Sequence, residues 1–150
     1  MSVPTTPSGL LVTEGLLLVR TEGTSMWPAL RTGDLLFGHQ LGAGERPLQG
    51  TVLVAEGPGG LMAHRLDRVR GQGLRERFYL AGDLSGPDVP LPRSDIRGVA
   101  AAIYRAGSGF LDIPPPLGLG PLGRRLVARL AWAWAWAQRR RSESRPQLLG

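Results

Sequence analysis

The 150-residue chain contains no lysine and no cysteine, and it has two histidines. All 18 residues of its basic count are arginine. Arginine stays protonated and cannot act as a base. A nucleophile that needs a conventional base must therefore draw on His39, His64 or a carboxylate. Without cysteine the fold needs no disulfide, which suits either redox compartment. Long apolar runs are missing as well. Residues 10–12 and 16–19 are short apolar stretches, far below the ~20 residues that span a bilayer. Residues 1–9 lack the basic and apolar regions of a secretory signal and read as a flexible lead-in.

What is present points to one ordinary globular domain. Hydrophobic content is 42% and charged content 20%, a globular balance, and the length suffices for a real core. Gly 22 and Pro 13 are high counts, favouring short strands and turns over a helical bundle. Strands are expected at 16–19, 34–38, 51–56, 61–69, 77–81 and 97–104. Gly57-Pro58-Gly59-Gly60 reads as the hairpin connection between two of them. Residues 10–106 form this β domain, 107–123 read as a stiff Pro/Gly linker around Pro114-Pro115-Pro116, and 142–150 read as a flexible tail.

Net charge is +6, which favours anionic partners. The charge is concentrated, since residues 124–145 hold seven arginines. Residues 124–141 favour helix by composition, although the Ala-Trp alternation also suits a strand. Trp132 and Trp136 would share one helix face, with Trp134 nearly opposite. Tryptophan flanked by arginine suits a helix lying in a membrane interface, so Trp132, Trp134 and Trp136 are candidate membrane contacts. Docking on a protein, or on the domain itself, is the plainer alternative. Arginine without lysine, amid abundant Ala, Gly and Leu, suggests a GC-rich bacterial source.

The most informative segment is Gly23-Thr24-Ser25-Met26-Trp27-Pro28-Ala29-Leu30, closed by Gly33-Asp34. It sets one serine in a tight turn before an apolar run, as a catalytic serine requires. A turn serine bonding local backbone is the bland reading. His64 lies in the alternating stretch Leu61-Met62-Ala63-His64-Arg65-Leu66 and shares a face with Met62 and Leu66. Such an apolar setting favours the neutral imidazole that a general base needs; the rival role is a hydrogen-bonded core histidine. His39 reads as a loop residue.

These segments, in this order, resemble the boxes of the type I signal peptidases. The serine box comes first, and Gly50-Thr51-Val52-Leu53-Val54-Ala55 resembles the strand that follows it. Ala63-His64-Arg65-Leu66 resembles the general-base box of the endoplasmic-reticulum and archaeal branch, which uses histidine. The segment from Phe78-Tyr79-Leu80-Ala81-Gly82-Asp83 to Asp88 resembles the Gly-Asp box, and Asp95-Ile96-Arg97-Gly98-Val99 the closing strand. The similarity spans about residues 10–105. A Ser-Lys dyad, as in most bacterial members and in LexA-type repressors, is chemically excluded by the absence of lysine.

The resemblance implies a mainly β fold, a bent antiparallel sheet or partial barrel of the signal peptidase–LexA type, followed here by a C-terminal helix. It implies a serine endopeptidase with Ser25 as nucleophile and His64 as base. Asp88 and Asp83 compete to orient the imidazole, and Asp83 is also suited to an Asx turn. Met26 and Trp27 would border the substrate groove. The expected partner is an extended signal or leader peptide of a preprotein, bound by strand addition. No cofactor or metal is expected. Family members carry a membrane helix before the serine box, and none precedes Ser25 here. The expected setting is therefore cytoplasmic, peripheral at the inner membrane surface if the Trp/Arg segment engages lipid. Two rivals stand beside this reading: an inactive peptide-binding module of the same fold, and a basic β domain gripping nucleic acid through residues 124–141. No nucleic-acid-binding motif precedes that arm, so no nucleic-acid partner is expected.

Overall fold

A computed structural model describes residues 10–116 and 121–143. The expected lead-in at 1–9, residues 117–120 of the expected linker, and the tail at 144–150 lie outside the described residues. The protein is mainly β, with an open antiparallel sheet and one C-terminal helix. Its elements are β1 (Leu10–Thr13), β2 (Leu16–Arg20), β3 (Leu35–His39), β4 (Val52–Gly57), β5 (Gly60–Arg70), β6 (Arg77–Ala81), β7 (Ile96–Arg105), β8 (Gly109–Asp112) and α1 (Pro121–Glu143). The strands run in the spatial order β1-β2-β3-β7-β4-β5-β6, with β8 added beside β7.

The apolar run in β4 explains its central place. Val52 to Ala55 are all buried, as expected of a strand covered on both faces. Val52 and Val54 pack with Leu17, Val19, Leu36 and Ile103. Leu53 and Ala55 face the other way, onto Leu66, Phe78, Leu80 and Ile96. Two apolar clusters thus share one strand, and three register shifts bend the sheet around them, at Phe37/Gly38, Val54/Ala55 and Leu66/Arg68. Bulges of this kind increase local twist and bend the strand that carries them. The β3–β7 crossing admits no side chain at Gly38, where a Cβ would stand 2.0 Å from the Val99 carbonyl oxygen.

The β4–β5 hairpin forms as the sequence predicts, with Gly57 opposite Gly60 and Pro58-Gly59 at the turn. The stretch 107–123 differs from a linker at its start. Residues 109–112 form β8, in register with β7 from Ala102 to Arg105. Leu111 and Ile113 pack against the β2–β3 side of the core, and that burial keeps a Gly-rich stretch in the sheet. The helix is also longer than residues 124–141, running Pro121–Glu143. It buries Ala131 fully and meets the domain through Trp134, whose ring lies 5.9 Å from the Arg31 guanidinium carbon.

Candidate active site

Three segments from different parts of the sheet converge. Ser25 lies on the loop between β2 and β3, whose base is pinched by backbone bonds from Thr21 N–H to the Asp34 carbonyl and from Gly33 N–H to the Thr21 carbonyl, both 2.9 Å. Gly23 and Gly33 adopt positive φ, +85° and +94°, where a Cβ would be strained. Beneath the loop, the buried Asp34 carboxylate accepts from the Arg31 N–H at 2.9 Å and binds both Nε and an Nη of Arg105, at 3.0 and 2.8 Å. The Asp34 hydrogen bond is the main reason the Arg105 guanidinium is held above its ordinary pKa, against a smaller opposing effect of burial.

His64 sits within β5, buried. Its Nε2 lies 2.8 Å from Ser25 Oγ and its Nδ1 lies 2.5 Å from Asp88 Oδ2. An ionised carboxylate can only accept, so Nδ1 carries the proton donated to Asp88. In the neutral ring, Nε2 then presents its lone pair to the serine hydroxyl. Asp88 is fixed by a loop that folds back along β6. Its N–H donates to the Leu80 carbonyl at 2.9 Å, and Phe78 and Leu91 exchange backbone bonds just beyond. The same loop grips the serine from the other side. Leu84 N–H donates to the Ser25 carbonyl at 2.8 Å, and a Cβ on Gly82 would stand 2.9 Å from that oxygen. Ser85 Oγ accepts from Gly82 N–H at 3.1 Å, securing the turn.

Of the two aspartates the sequence offers to the imidazole, Asp88 makes the contact. Asp83 is corrected to a different task. Its carboxylate is engaged by Arg65, with Nε to Oδ1 at 2.7 Å and an Nη to Oδ2 at 3.2 Å, and its N–H meets Met26 Sδ at 3.3 Å. Both members of this ion pair are buried. The Arg65 guanidinium also reaches the carbonyls of Gly50 (3.1 Å) and Pro114 (2.5 Å). Buried charge of this kind requires a full set of partners, and Arg65 has them.

A groove of about 540 Å³ opens beside Ser25 and His64, walled by residues 19–23 on one side and 59–63 on the other, with Met26 and Leu30 contributing apolar surface. A second depression of about 460 Å³ lies across the start of β5, against Pro87, Asp88 and Val89. Pairing of β5 with β6 begins at Arg65. Among the described strands, none pairs with the opposite edge of residues 60–64, leaving backbone groups there open beside the groove. Met26 lines this groove. Trp27 is half-buried outside the groove lining, follows the loop into a cis bond with Pro28, and buries its Nε1 without a partner among the described residues. His39 is exposed, 3.0 Å from Glu45 Oε2. Glu45 is held below the usual carboxylate range, first by the Gly42 N–H and then by His39.

The tryptophans of α1 divide. Trp132 and Trp136 are exposed, whereas Trp134 is half-buried and faces Arg31, away from the side that carries the other two. Sequence reasoning did not assign partners to Arg65 or Arg105. For Arg65 the available signal was a charge set between buried His64 and Leu66, a position that demands a counter-ion. Among the described residues no group of three or more His, Asp or Glu side chains is placed to hold a metal ion.

The serine, imidazole and carboxylate thus form one hydrogen-bonded series in the geometry of a nucleophile, its base and the group that orients the base. Comparison with known proteins finds no matching family model, no matching curated protein and no matching solved structure.

Proposed function

We propose that the chain is a signal peptidase-like serine endopeptidase acting on an extended signal or leader peptide. The observation that carries this reading is the series Ser25 Oγ–His64 Nε2–His64 Nδ1–Asp88 Oδ2, at 2.8 and 2.5 Å. Ser25 Oγ attacks the scissile carbonyl carbon while its proton passes to Nε2. Asp88 keeps the ring in the productive tautomer and stabilises the imidazolium without taking its proton. The Ser25 N–H serves as one donor to the tetrahedral oxyanion. Collapse of that intermediate breaks the C–N bond, and the leaving amine takes the Nε2 proton. Water, deprotonated by Nε2, then hydrolyses the Ser25 ester and regenerates the hydroxyl. The open edge of residues 60–64 supports strand addition by the substrate, with backbone bonds supplying affinity. The apolar surface of Met26 and Leu30 in the groove suits small apolar side chains near the cut.

Intact-mass labelling with a fluorophosphonate tests the reading on the parent chain, Ser25→Ala and His64→Ala. One adduct on the parent, lost in both variants, is the expected result. No adduct on folded parent protein, with detergent present, would reduce the chain to a peptide-binding module. An adduct that survives His64→Ala would remove His64 as the base.

A further inference from the structure

The helix α1 meets the domain at Trp134 and buries Ala131, and its opposite side carries a composition of its own. With 100° per residue, Leu122, Leu126, Leu130, Trp132 and Trp136 fall on an arc about 160° wide centred opposite the buried Ala131. All five are exposed, from 46% for Trp136 to 80% for Leu122. Arg125 and Arg129 lie within the same arc and are exposed. Arg140 stacks on Trp136, 4.1 Å from the ring centroid. From Pro121 to Ser142 the sequence has no acidic residue.

We propose that this face of α1 docks on an anionic phospholipid bilayer, the helix lying in the plane of the interface. Five large apolar side chains on one helix face are costly to leave in water, and such a patch marks a contact surface. Arginines interleaved with them can bury their stems and keep their guanidinium groups at headgroup phosphates. Tryptophan rings favour that same depth. Among the described residues no helix is long and apolar enough to cross a membrane, so the contact is along the surface. Nucleic acid would satisfy the arginines but would leave the leucines exposed. Because Trp134 meets Arg31 on the same loop as Ser25, a lipid-bound α1 would hold the serine groove close to the bilayer. The corollary that the peptide is cut at the membrane surface rests on the proposed peptidase reading; the docking does not.

The test uses flotation of the full chain with vesicles of phosphatidylcholine alone or mixed with phosphatidylglycerol. Binding to the anionic vesicles is expected, weakened by salt and at least about tenfold weaker on neutral vesicles. Arg125→Gln/Arg129→Gln should weaken anionic binding about thirtyfold, given about 1 kcal/mol per basic residue near the surface. Trp132→Ser/Trp136→Ser should lower binding to both kinds of vesicle. Because these side chains are exposed, unchanged thermal melting is expected to accompany the loss. Failure to bind anionic vesicles, binding unaffected by either double variant, or tighter capture by duplex DNA or an acidic protein would overturn the proposal. Fluorophosphonate labelling of the same samples reports the peptidase reading separately, so either proposal can fail alone.

Discussion

Arg65 and Asp83 join the strand that carries the imidazole to the loop that grips the serine. Arg65 follows His64 directly on β5, while Asp83 stands between Gly82, which packs on Ser25, and Leu84, which donates to the Ser25 carbonyl. Their two-point contact, 2.7 and 3.2 Å, therefore ties the spacing of His64 and Ser25 to a buried ion pair rather than to loop packing alone.

Removing one partner strands the other charge. Asp83→Ala is expected to cost about 3–5 kcal/mol of stability, read as a lower denaturation midpoint. Arg65→Lys keeps the charge but loses the planar fork. It should melt closer to the parent while losing turnover, since a lysine cannot reach Asp83 and the Gly50 and Pro114 carbonyls together. Equal turnover in Arg65→Lys and parent would show that the fork does not position the site.

Asp88→Asn should leave the fold unchanged and reduce the acylation rate by about ten-thousand-fold, because the amide reverses the hydrogen bond that fixes the ring tautomer. Fluorophosphonate labelling rates alongside thermal melts would measure both effects. A loss below tenfold would remove Asp88 from the series.

Gly82→Ala tests the close approach of the acidic loop to Ser25. The added Cβ would meet Ser85 Oγ at 2.3 Å and the Ser25 carbonyl oxygen at 2.9 Å. Ser85 can rotate, whereas the Ser25 backbone must shift. Labelling is thus expected to fall at least tenfold, since small misplacement of reacting groups is costly. Ser85→Ala should not restore it.

The acid limb of the stability curve has a defined contributor. Glu76, buried, is held below the ordinary carboxylate value of 4.5, first by its hydrogen bond from Arg93 and against the opposing effect of burial. A carboxylate depressed on folding contributes stability that is full above its unfolded pKa and is lost as pH falls through its folded value. Glu76→Gln should therefore lower stability near neutrality and flatten the decline below pH 4.5, seen by urea melts across that range. An unchanged acid slope would show that the pair does not contribute.

Local pattern carried much of this structure. The apolar run of β4, the Gly-Pro-Gly-Gly hairpin and the alternation around His64 each reflect forces acting over a few residues, and the sheet follows them. The convergence of Ser25 with His64 was legible through the order of segments; the distance between them was not. The choice between Asp83 and Asp88 depends on how the loop after β6 folds back on that strand, a long-range outcome that spacing alone does not set. Residues 109–112 escaped for a related reason. They fall in the Pro/Gly-rich stretch that reads as a linker, while the pairing that makes β8 is supplied by β7. Helix periodicity sets Trp134 apart from Trp132 and Trp136, but it does not specify which of the two faces packs on the domain.

The ion pairs that brace the domain, Arg65–Asp83, Arg105–Asp34 and Arg93–Glu76, all use guanidinium, and the chain has no lysine. Amine-directed reagents find no lysine side chain to modify, so tags or supports attached by that chemistry leave the brace intact. Dicarbonyl reagents such as phenylglyoxal attack guanidinium instead. Their reach is graded by exposure, from 29% for the Arg93 side chain through 19% for Arg105 to 9% for Arg65. Mild treatment would thus loosen the periphery first and reach the arginine beside His64 last, making the order of adduct formation a chemical readout of how the site is enclosed.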